Sequence, residues 1–207
     1  KSAFKKHCAE KKLHINESQI QTIDLLSNFY NKNQLNLFNL FGLLNSDFKK
    51  KAFYLRGDVG VGKTMILDFF FKHLNISKQR FHFNEFMINF HNFRHEREKR
   101  GSSNYIEVFV KELKKKYKLI YLDEFQVTNI VDAMILGKLF EIIIKENILI
   151  VITSNTKIKD LYKDGLQREQ FLHFISLIKN FSIEHELIID EDYRKTGLDK
   201  LERFFFP

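Results

Sequence analysis

The sequence is poor in cysteine and proline and contains no tryptophan. Its 207 residues include one Cys, one Pro and no Trp. The single cysteine, Cys8, excludes an internal disulfide and a cysteine-rich metal site, and it is typical of proteins in a reducing compartment. The single proline excludes a proline-rich linker between domains. We therefore expect a cytoplasmic chain with one main domain, because this length suffices for one core and a small appendage.

Long apolar runs are missing as well. No stretch approaches the roughly 18 apolar residues of a membrane-spanning helix. The formal net charge is +8, from 34 Lys and Arg against 26 Asp and Glu. A basic surface can meet nucleic acid, the anionic face of a membrane or an acidic protein. Because the excess charge is spread along the chain, it favours a solvated lysine-rich surface. The chain begins with Lys1 rather than Met, so removal of a targeting segment stays open.

One glycine-rich stretch carries a recognisable pattern. Its residues are Gly57, Asp58, Val59, Gly60, Val61, Gly62, Lys63 and Thr64. They match the P-loop or Walker A pattern of Gly, four residues, then Gly-Lys-Ser/Thr. The glycines allow successive backbone N–H groups to turn inward around an anion. Lys63 is predicted to reach the β- and γ-phosphates of ATP, and the Thr64 hydroxyl is predicted to ligate Mg²⁺.

The residues on either side of this loop provide the setting that a P-loop needs. Ala52 to Leu55 is a short apolar run typical of a strand, and residues 65–71 favour a buried helix because they are mostly apolar and lack Gly and Pro. A helix that begins at the loop directs its positive N-terminal end at the phosphates. The strand–loop–helix order argues against the alternative interpretation, a chance glycine-rich turn.

A second motif combines an apolar strand with two acids. Leu119 to Leu122 is a continuous apolar run, as expected for a strand buried on both faces of a parallel sheet, and Asp123 and Glu124 follow it directly. This is the Walker B arrangement, in which Asp123 approaches Mg²⁺, usually through water. Glu124 is then placed to orient or deprotonate an attacking water molecule. The alternative for Asp123 is a helix-capping role.

Two further polar residues complete the predicted catalytic set. Asn155 follows the apolar residues 148–152, and its amide is predicted to hold the attacking water or the γ-phosphate. Arg168 is predicted to open a later helix and to act as an arginine finger on the nucleotide of a neighbouring subunit. The alternatives are an ordinary turn for residues 153–155 and a surface ion pair for Arg168.

Strand-like and helix-like segments alternate along the chain. The predicted strands are residues 52–55, 81–83, 119–122, 148–153 and 182–189. The predicted helices are residues 17–30 after a cap at Asn16, the P-loop helix to residue 74, residues 86–109 interrupted near 101–104, residues 130–145, and residues 160–180 with a break at Gly165. Residues 31–47 are predicted to form a loop with a short helix.

This alternation predicts an α/β fold of the three-layer P-loop NTPase kind. The sheet is predicted to be mostly parallel and five-stranded, with helices on both faces. We divide the chain into an N-terminal helical segment, residues 1–50, and a P-loop ATPase core, residues 51–207.

Several longer runs go beyond these general motifs. They are residues 57–70, 80–87 (Arg-Phe-His-Phe-Asn-Glu-Phe-Met), 122–130 (Leu-Asp-Glu-Phe-Gln-Val-Thr-Asn-Ile), 132–136, 153–155, 160–169 and 192–194. Together they resemble the ZapE family of AAA+-type ATPases, which comprises a bacterial cell-division ATPase and its mitochondrial relatives. Asn16 to Gln19 is similar to the family's Asp-x-x-Gln, with Asn in place of Asp. The likeness covers most of residues 15–207.

The resemblance implies an AAA+-like fold and Mg²⁺-dependent ATP hydrolysis coupled to assembly of a homo-oligomer. It also implies action on a protein partner, which is the division polymer FtsZ in bacteria and respiratory-complex subunits of the inner membrane in mitochondria. Gln19 is expected near the adenine. The family continues past Pro207 into a small C-terminal lid with a second sensor arginine. Without that lid, the hydrolytic competence of this chain is left open.

Two other functions share the same core. A nucleotide-dependent nucleic-acid factor of the helicase-loader kind would bind DNA with a steep salt dependence. A nucleotide switch without turnover is favoured by the absent lid and disfavoured by the presence of both Lys63 and Glu124. GTP specificity is disfavoured because residues 31–34 lack the acid of an Asn-Lys-x-Asp motif. A small-molecule kinase is disfavoured because Glu124 and Asn155 suit the activation of water better.

Overall fold

Five parallel strands form the centre of the molecule. The computed structural model describes residues 2–11, 15–38, 50–99, 101 and 104–188. The strands are β1 (Ala52–Arg56), β2 (Lys78–His82), β3 (Leu119–Asp123), β4 (Leu149–Ser154) and β5 (Ser182–Glu186). The helices are α1 (Ser2–Glu10), α2 (Glu17–Phe38), α3 (Lys63–His73), α4 (Phe83–Lys99), α5 (Tyr105–Lys116), α6 (Ile130–Lys145) and α7 (Arg168–Phe181), with a 3₁₀ turn at Ile158–Asp160.

The strand order brings three loops together at one edge of the sheet. The order is β2-β3-β4-β1-β5, and every neighbouring pair is parallel. The register places Arg56 of β1 beside Ser154 of β4, and His82 of β2 beside Asp123 of β3. Because parallel strands end at the same edge, the loops after β1, β3 and β4 lie next to one another there. This edge is where open α/β sheets bind ligands.

Helices cover both faces of the sheet. Neighbouring residues of a strand point to opposite faces, and accordingly Tyr54 packs with residues of α4 to α7, whereas Phe53 packs with residues of α1 to α3. The side chains of β3 and β4 are all buried, which explains their continuous apolar sequence. The predicted three-layer α/β fold is confirmed, and its described sheet is parallel in every pairing.

Helix α2 is longer than predicted. It continues to Phe38 through the first part of the predicted loop, while residues 39–47 lie outside the described residues. The buried amide of Asn33 donates hydrogen bonds to the backbone O of Phe29, at 2.9 Å, and of Lys50, at 3.1 Å. Asparagine favours loops when local preference decides. Here a tertiary contact with the chain before β1 stabilises the helix instead.

The prediction that Phe83 belongs to the second strand was wrong. The strand spans Lys78–His82, and Phe83 is the first residue of α4. Phe83 is buried, with its ring centroid 4.3 Å from that of Phe125. The alternation of Phe81, His82 and Phe83 imitates the period of a strand, but the second phenylalanine instead anchors the start of a helix.

Two later boundaries also differ. Helix α7 begins at Arg168, as predicted for this residue. The predicted helix 160–180 is therefore interrupted over residues 161–167, and not only at Gly165. Strand β5 ends at Glu186 instead of residue 189. The run at residues 192–194 lies outside the described residues. Within the described ranges, no helix combines the length and apolar character needed to cross a membrane.

Candidate active site

The loop between β1 and α3 needs glycine for two reasons. Gly60 and Gly62 have φ values of +98° and +87°, a region that a side chain makes costly. Gly57 is needed for space, because a Cβ there would lie 2.6 Å from the backbone O of Leu187. Glycine therefore lets the chain reverse direction before α3 while packing against the residue that follows β5.

Gly57→Ala is expected to lower the free energy of unfolding by about 1–3 kcal/mol, the usual cost of overpacking. Leu187 cannot move away freely, because its N–H donates to the backbone O of Arg56 at 2.8 Å. Thermal unfolding followed by circular dichroism measures the effect. An unchanged melting temperature would contradict the close packing between the loop and Leu187.

A cavity of about 230 Å³ lies at the loop. It is lined by Val59, Gly60, Gly62, Lys63, Thr64, Asp123, Glu124, Thr153, Ser154 and Asn155. The structure thus brings together residues predicted from three separate sequence motifs. They meet because the loops after β1, β3 and β4 are neighbours at one edge of the sheet.

The ammonium group of Lys63 lies against its own loop. It donates hydrogen bonds to the backbone O of Gly57 at 2.7 Å, to that of Asp58 at 2.8 Å, and to Asn155 Oδ1 at 2.8 Å. Lys63 therefore joins the P-loop to the residue that follows β4. The ammonium group can exchange these carbonyl and amide oxygens for phosphate oxygens.

Asp123 is buried and strongly hydrogen-bonded. Its Oδ1 accepts from the Tyr121 hydroxyl at 2.8 Å, from the Glu124 N–H at 3.2 Å and from the Thr153 hydroxyl, and its Oδ2 accepts from the Arg80 guanidinium. Burial raises the pKa of Asp123, but the hydrogen bonds from Thr153, Arg80 and Tyr121 outweigh it and lower the pKa below its usual value. The carboxylate is therefore ionised at neutral pH.

Sequence reasoning missed three residues of this network. Arg80 and Tyr121 were not singled out, and Thr153 was placed in a motif without its role as a donor to Asp123. Two features of the sequence could have pointed to them. Arg80 lies in the 80–87 run, and Tyr121 places a hydroxyl in an otherwise aliphatic apolar run. Burial, followed by the charge of Asp123, raises the pKa of Tyr121, so its hydroxyl stays a donor.

Glu124 differs from Asp123 in conformation and exposure. Its φ is +54°, a sparsely populated region for a residue with a side chain, of the kind found at functional sites. Its backbone N–H donates to the Thr153 hydroxyl at 3.1 Å, while its side chain is 81% exposed. His82 Nδ1 lies 3.9 Å from Glu124 Oε2. The carboxylate is therefore accessible to water beside the cavity.

Thr64 and Asp123 supply oxygen atoms suited to Mg²⁺. Both residues line the cavity, and Mg²⁺ prefers a few protein oxygens together with water and phosphate. No group of three or more His, Cys, Asp or Glu side chains that could hold a metal occurs in the described part of the chain. The residues present therefore fit a Mg²⁺ whose other ligands come from nucleotide and water.

Gln19 lies against the P-loop. Its side chain is buried, accepts a hydrogen bond from the Asn16 N–H at 3.2 Å and donates to the backbone O of Val61 at 3.4 Å. A Cβ at Gly62 would lie 3.1 Å from Gln19 Nε2. Helix α2 thus supports the loop through this amide. The predicted contact of Gln19 with adenine stays a prediction.

Arg168 does not line the cavity. It is the first residue of α7, and its guanidinium donates to the backbone O of Lys159 at 2.7 Å. Its Nε is buried and has no hydrogen-bond partner among the described residues. Within one chain, the structure therefore keeps Arg168 apart from the other predicted catalytic residues.

Comparison with known proteins identifies the family. The model of the AFG1-like ATPases matches residues 1–207, which is the whole chain. This chain belongs to the AFG1-like ATPase family. The resemblance inferred from the motifs is thereby confirmed, since ZapE is among the relatives of this AFG1-like chain.

Two curated relatives give the extent of the similarity. The AFG1-like chain is 34% identical to the cell division protein ZapE of Escherichia coli (strain K12) over 158 residues, which cover 76% of this chain and 42% of the relative. It is 36% identical to lactation elevated protein 1 homolog B of Danio rerio over 166 residues, which cover 75% of this chain and 33% of the relative. The chain spans less than half the length of these relatives.

A solved structure supports the fold independently. The crystal structure of DnaI has a TM-score of 0.57 to the AFG1-like chain at 19% sequence identity, and the match covers 84% of each chain. At this identity the likeness shows the fold alone. The fold is the P-loop AAA+ architecture that the sequence predicted.

Proposed function

We propose that this AFG1-like chain binds ATP with Mg²⁺, hydrolyses it within a homo-oligomer and uses the free energy to remodel a protein partner. The observation that carries the proposal is the single cavity shared by Lys63, Asp123, Glu124 and Asn155. A phosphate-binding lysine, an ionised buried acid, an exposed acid and an amide are the groups that hydrolysis of a nucleoside triphosphate requires.

Each residue has a role in the proposed reaction. The backbone amides of residues 57–64 hold the phosphates, and Lys63 exchanges its carbonyl partners for β- and γ-phosphate oxygens. Bound Mg²⁺ supplies charge neutralisation at the phosphates, and Thr64 and Asp123 are the residues that would hold it. Glu124 accepts a proton from the attacking water, which Asn155 orients. Gln19 is proposed to contact the adenine from the N-terminal side.

The position of Arg168 supports an oligomeric site. In AAA+-type enzymes a positive charge from a neighbouring subunit stabilises the transition state. Arg168 is anchored at the start of α7 by Lys159 and lies outside the cavity of its own chain. We therefore propose that it acts on the nucleotide of an adjacent copy.

Arg168→Ala is expected to reduce ATP hydrolysis by about 10³-fold, the scale of an arginine finger, while ATP affinity is retained. Mixing Arg168→Ala with Lys63→Ala should restore activity, because the second variant supplies the arginine and the first supplies an intact nucleotide site. Phosphate release measured against protein concentration should also rise more steeply than linearly. Lys179→Ala, at an exposed position of the same helix, serves as the control.

Failure of the mixed variants to regain activity would argue against a finger acting between subunits. A melting temperature lowered by Arg168→Ala would instead assign the loss to the anchor at Lys159. A linear dependence of rate on concentration would favour a site complete within one chain.

A protein partner is proposed from the family. The relative from Escherichia coli is named a cell division protein, so a division polymer of the FtsZ type is the proposed partner in a bacterial setting. Nucleic acid is a weaker candidate, because part of the basic charge is neutralised by acids on the surface. Arg97 lies 3.0 Å from Glu112, and Lys114 forms an ion pair with Glu146.

A further inference from the structure

Arg80 on β2 has three partners around the proposed metal site. Its guanidinium donates to Asp68 Oδ1 on α3 at 2.7 Å and to Asp123 Oδ2 on β3. It also lies over the ring of Tyr121, with its central carbon 5.1 Å from the ring centroid. A guanidinium has a planar fork of donors that can engage two carboxylates at once while stacking on a ring. These contacts hold the side chain in one place.

The two carboxylates that Arg80 joins lie on α3 and β3, the two elements that carry the proposed metal ligands Thr64 and Asp123. Asp68 lies four residues after Thr64 on α3, so both side chains share one face of that helix. Asp123 ends β3. Through Arg80, the helix that carries the Thr64 hydroxyl is therefore joined to the strand that carries the Asp123 carboxylate.

The hydrogen bonds of Asp123 show what Arg80 contributes. Oδ1 accepts three hydrogen bonds, from Tyr121, Thr153 and Glu124, whereas Oδ2 accepts one among the described residues, from Arg80. A carboxylate oxygen has two acceptor positions. Oδ1 is thus saturated, whereas Arg80 occupies one of the two acceptor positions on Oδ2 and so determines which one is left for a metal ion.

We propose that Arg80 is a positioning residue that aligns Asp123 and Thr64 for divalent metal binding by bridging Asp123 to Asp68. The proposal rests on the function proposed above, because it assumes that the metal enters with ATP. Arg80 does not contact the phosphates in this scheme. Its effect is therefore confined to the contribution that the metal makes to nucleotide affinity.

The test compares nucleotide affinity with and without metal. A fluorescent ATP analogue is titrated into the 207-residue chain in EDTA and in excess MgCl₂, and the ratio of the two dissociation constants is the metal factor. For Arg80→Gln we expect a metal factor about tenfold smaller than in the wild type, as for other residues that orient metal ligands. The affinity in EDTA should be unchanged, because Lys63 and the loop amides are intact.

A matched control exists in the same chain. Arg94 also pairs with a carboxylate, Glu98 at 2.7 Å, and also stacks on a tyrosine, Tyr105 at 5.4 Å, but on a helix outside the cavity. The exposed fractions of the two arginine side chains are 32% for Arg80 and 34% for Arg94. Arg94→Gln should leave both dissociation constants at the wild-type values.

Asp68→Asn tests the bridge from its other end. The Asp68 side chain is 54% exposed, so this variant is expected to fold even if Arg80→Gln does not. It should lower the metal factor by about threefold, the upper range for a partly exposed ion pair. The double variant should be no worse than Arg80→Gln alone, because both changes remove the same bridge.

The outcomes separate this inference from the proposed function. An unchanged or larger metal factor in Arg80→Gln, or in Asp68→Asn where only that variant folds, would overturn the positioning role. An equal loss of affinity in EDTA and in MgCl₂ would also overturn it and assign Arg80 a general structural role. Absence of binding by the wild type under both conditions would instead overturn the proposed function.

Discussion

Lys63→Ala is expected to weaken ATP binding by about 100-fold or more, because it removes charged hydrogen bonds worth about 1.5–3 kcal/mol each. Among the described residues, Lys63 has no substitute at the cavity, since the other charged residues that line it, Asp123 and Glu124, are acidic. Titration of a fluorescent ATP analogue measures the loss. Lys72→Ala removes the same charge from an exposed position in the last turn of α3 and should bind like the wild type.

The same substitution also removes hydrogen bonds within the protein. Lys63 donates to Gly57, Asp58 and Asn155 in this structure. The melting temperature of the Lys63→Ala variant must therefore be measured alongside its affinity for ATP. A folded Lys63→Ala variant with wild-type affinity for ATP would contradict the phosphate-binding role of the lysine and, with it, the proposed function.

Glu124→Gln is expected to bind ATP normally and to hydrolyse it about 10²- to 10⁴-fold more slowly, the range of general-base catalysis. Glutamine has nearly the size and shape of glutamate but is not a base, and the Glu124 side chain is 81% exposed, so the fold should tolerate the substitution. The backbone hydrogen bond to Thr153 does not depend on the side chain. Phosphate release under saturating Mg–ATP measures the rate, and a binding titration measures affinity.

Glu96→Gln provides the comparison for this variant, because Glu96 is an exposed acid on α4 away from the cavity. It should hydrolyse ATP at the wild-type rate. If Glu124→Gln releases phosphate as fast as the wild type, Glu124 is not the base and another route to the attacking water must be sought.

Most of the fold could be predicted from local sequence. The strands at β1, β3 and β4 were predicted because short apolar runs bounded by polar residues have few other solutions in an α/β protein. Helix α6 was predicted with its observed bounds because its apolar residues have helical spacing. The structure adds that Asn129 caps it. The type of these elements depends mainly on the spacing of apolar residues, and a short segment of sequence is enough to show that spacing.

The errors arose where a distant contact decided the conformation. Helix α2 extends past Tyr30 because Asn33 bonds to the chain before β1. Phe83 begins a helix because its ring packs on Phe125 from the loop after β3. In both cases the partner is far away in sequence, so local preference pointed elsewhere.

The sequence by itself determined the loop between β1 and α3, because glycine adopts the positive φ values of Gly60 and Gly62 at little cost. It also determined which residue types follow each strand. The tertiary structure decided which of them meet: the strand order places β4 between β1 and β3, so Asn155 reaches Lys63. It alone revealed that Arg80 joins α3 to β3, because side chains from three separate elements converge there.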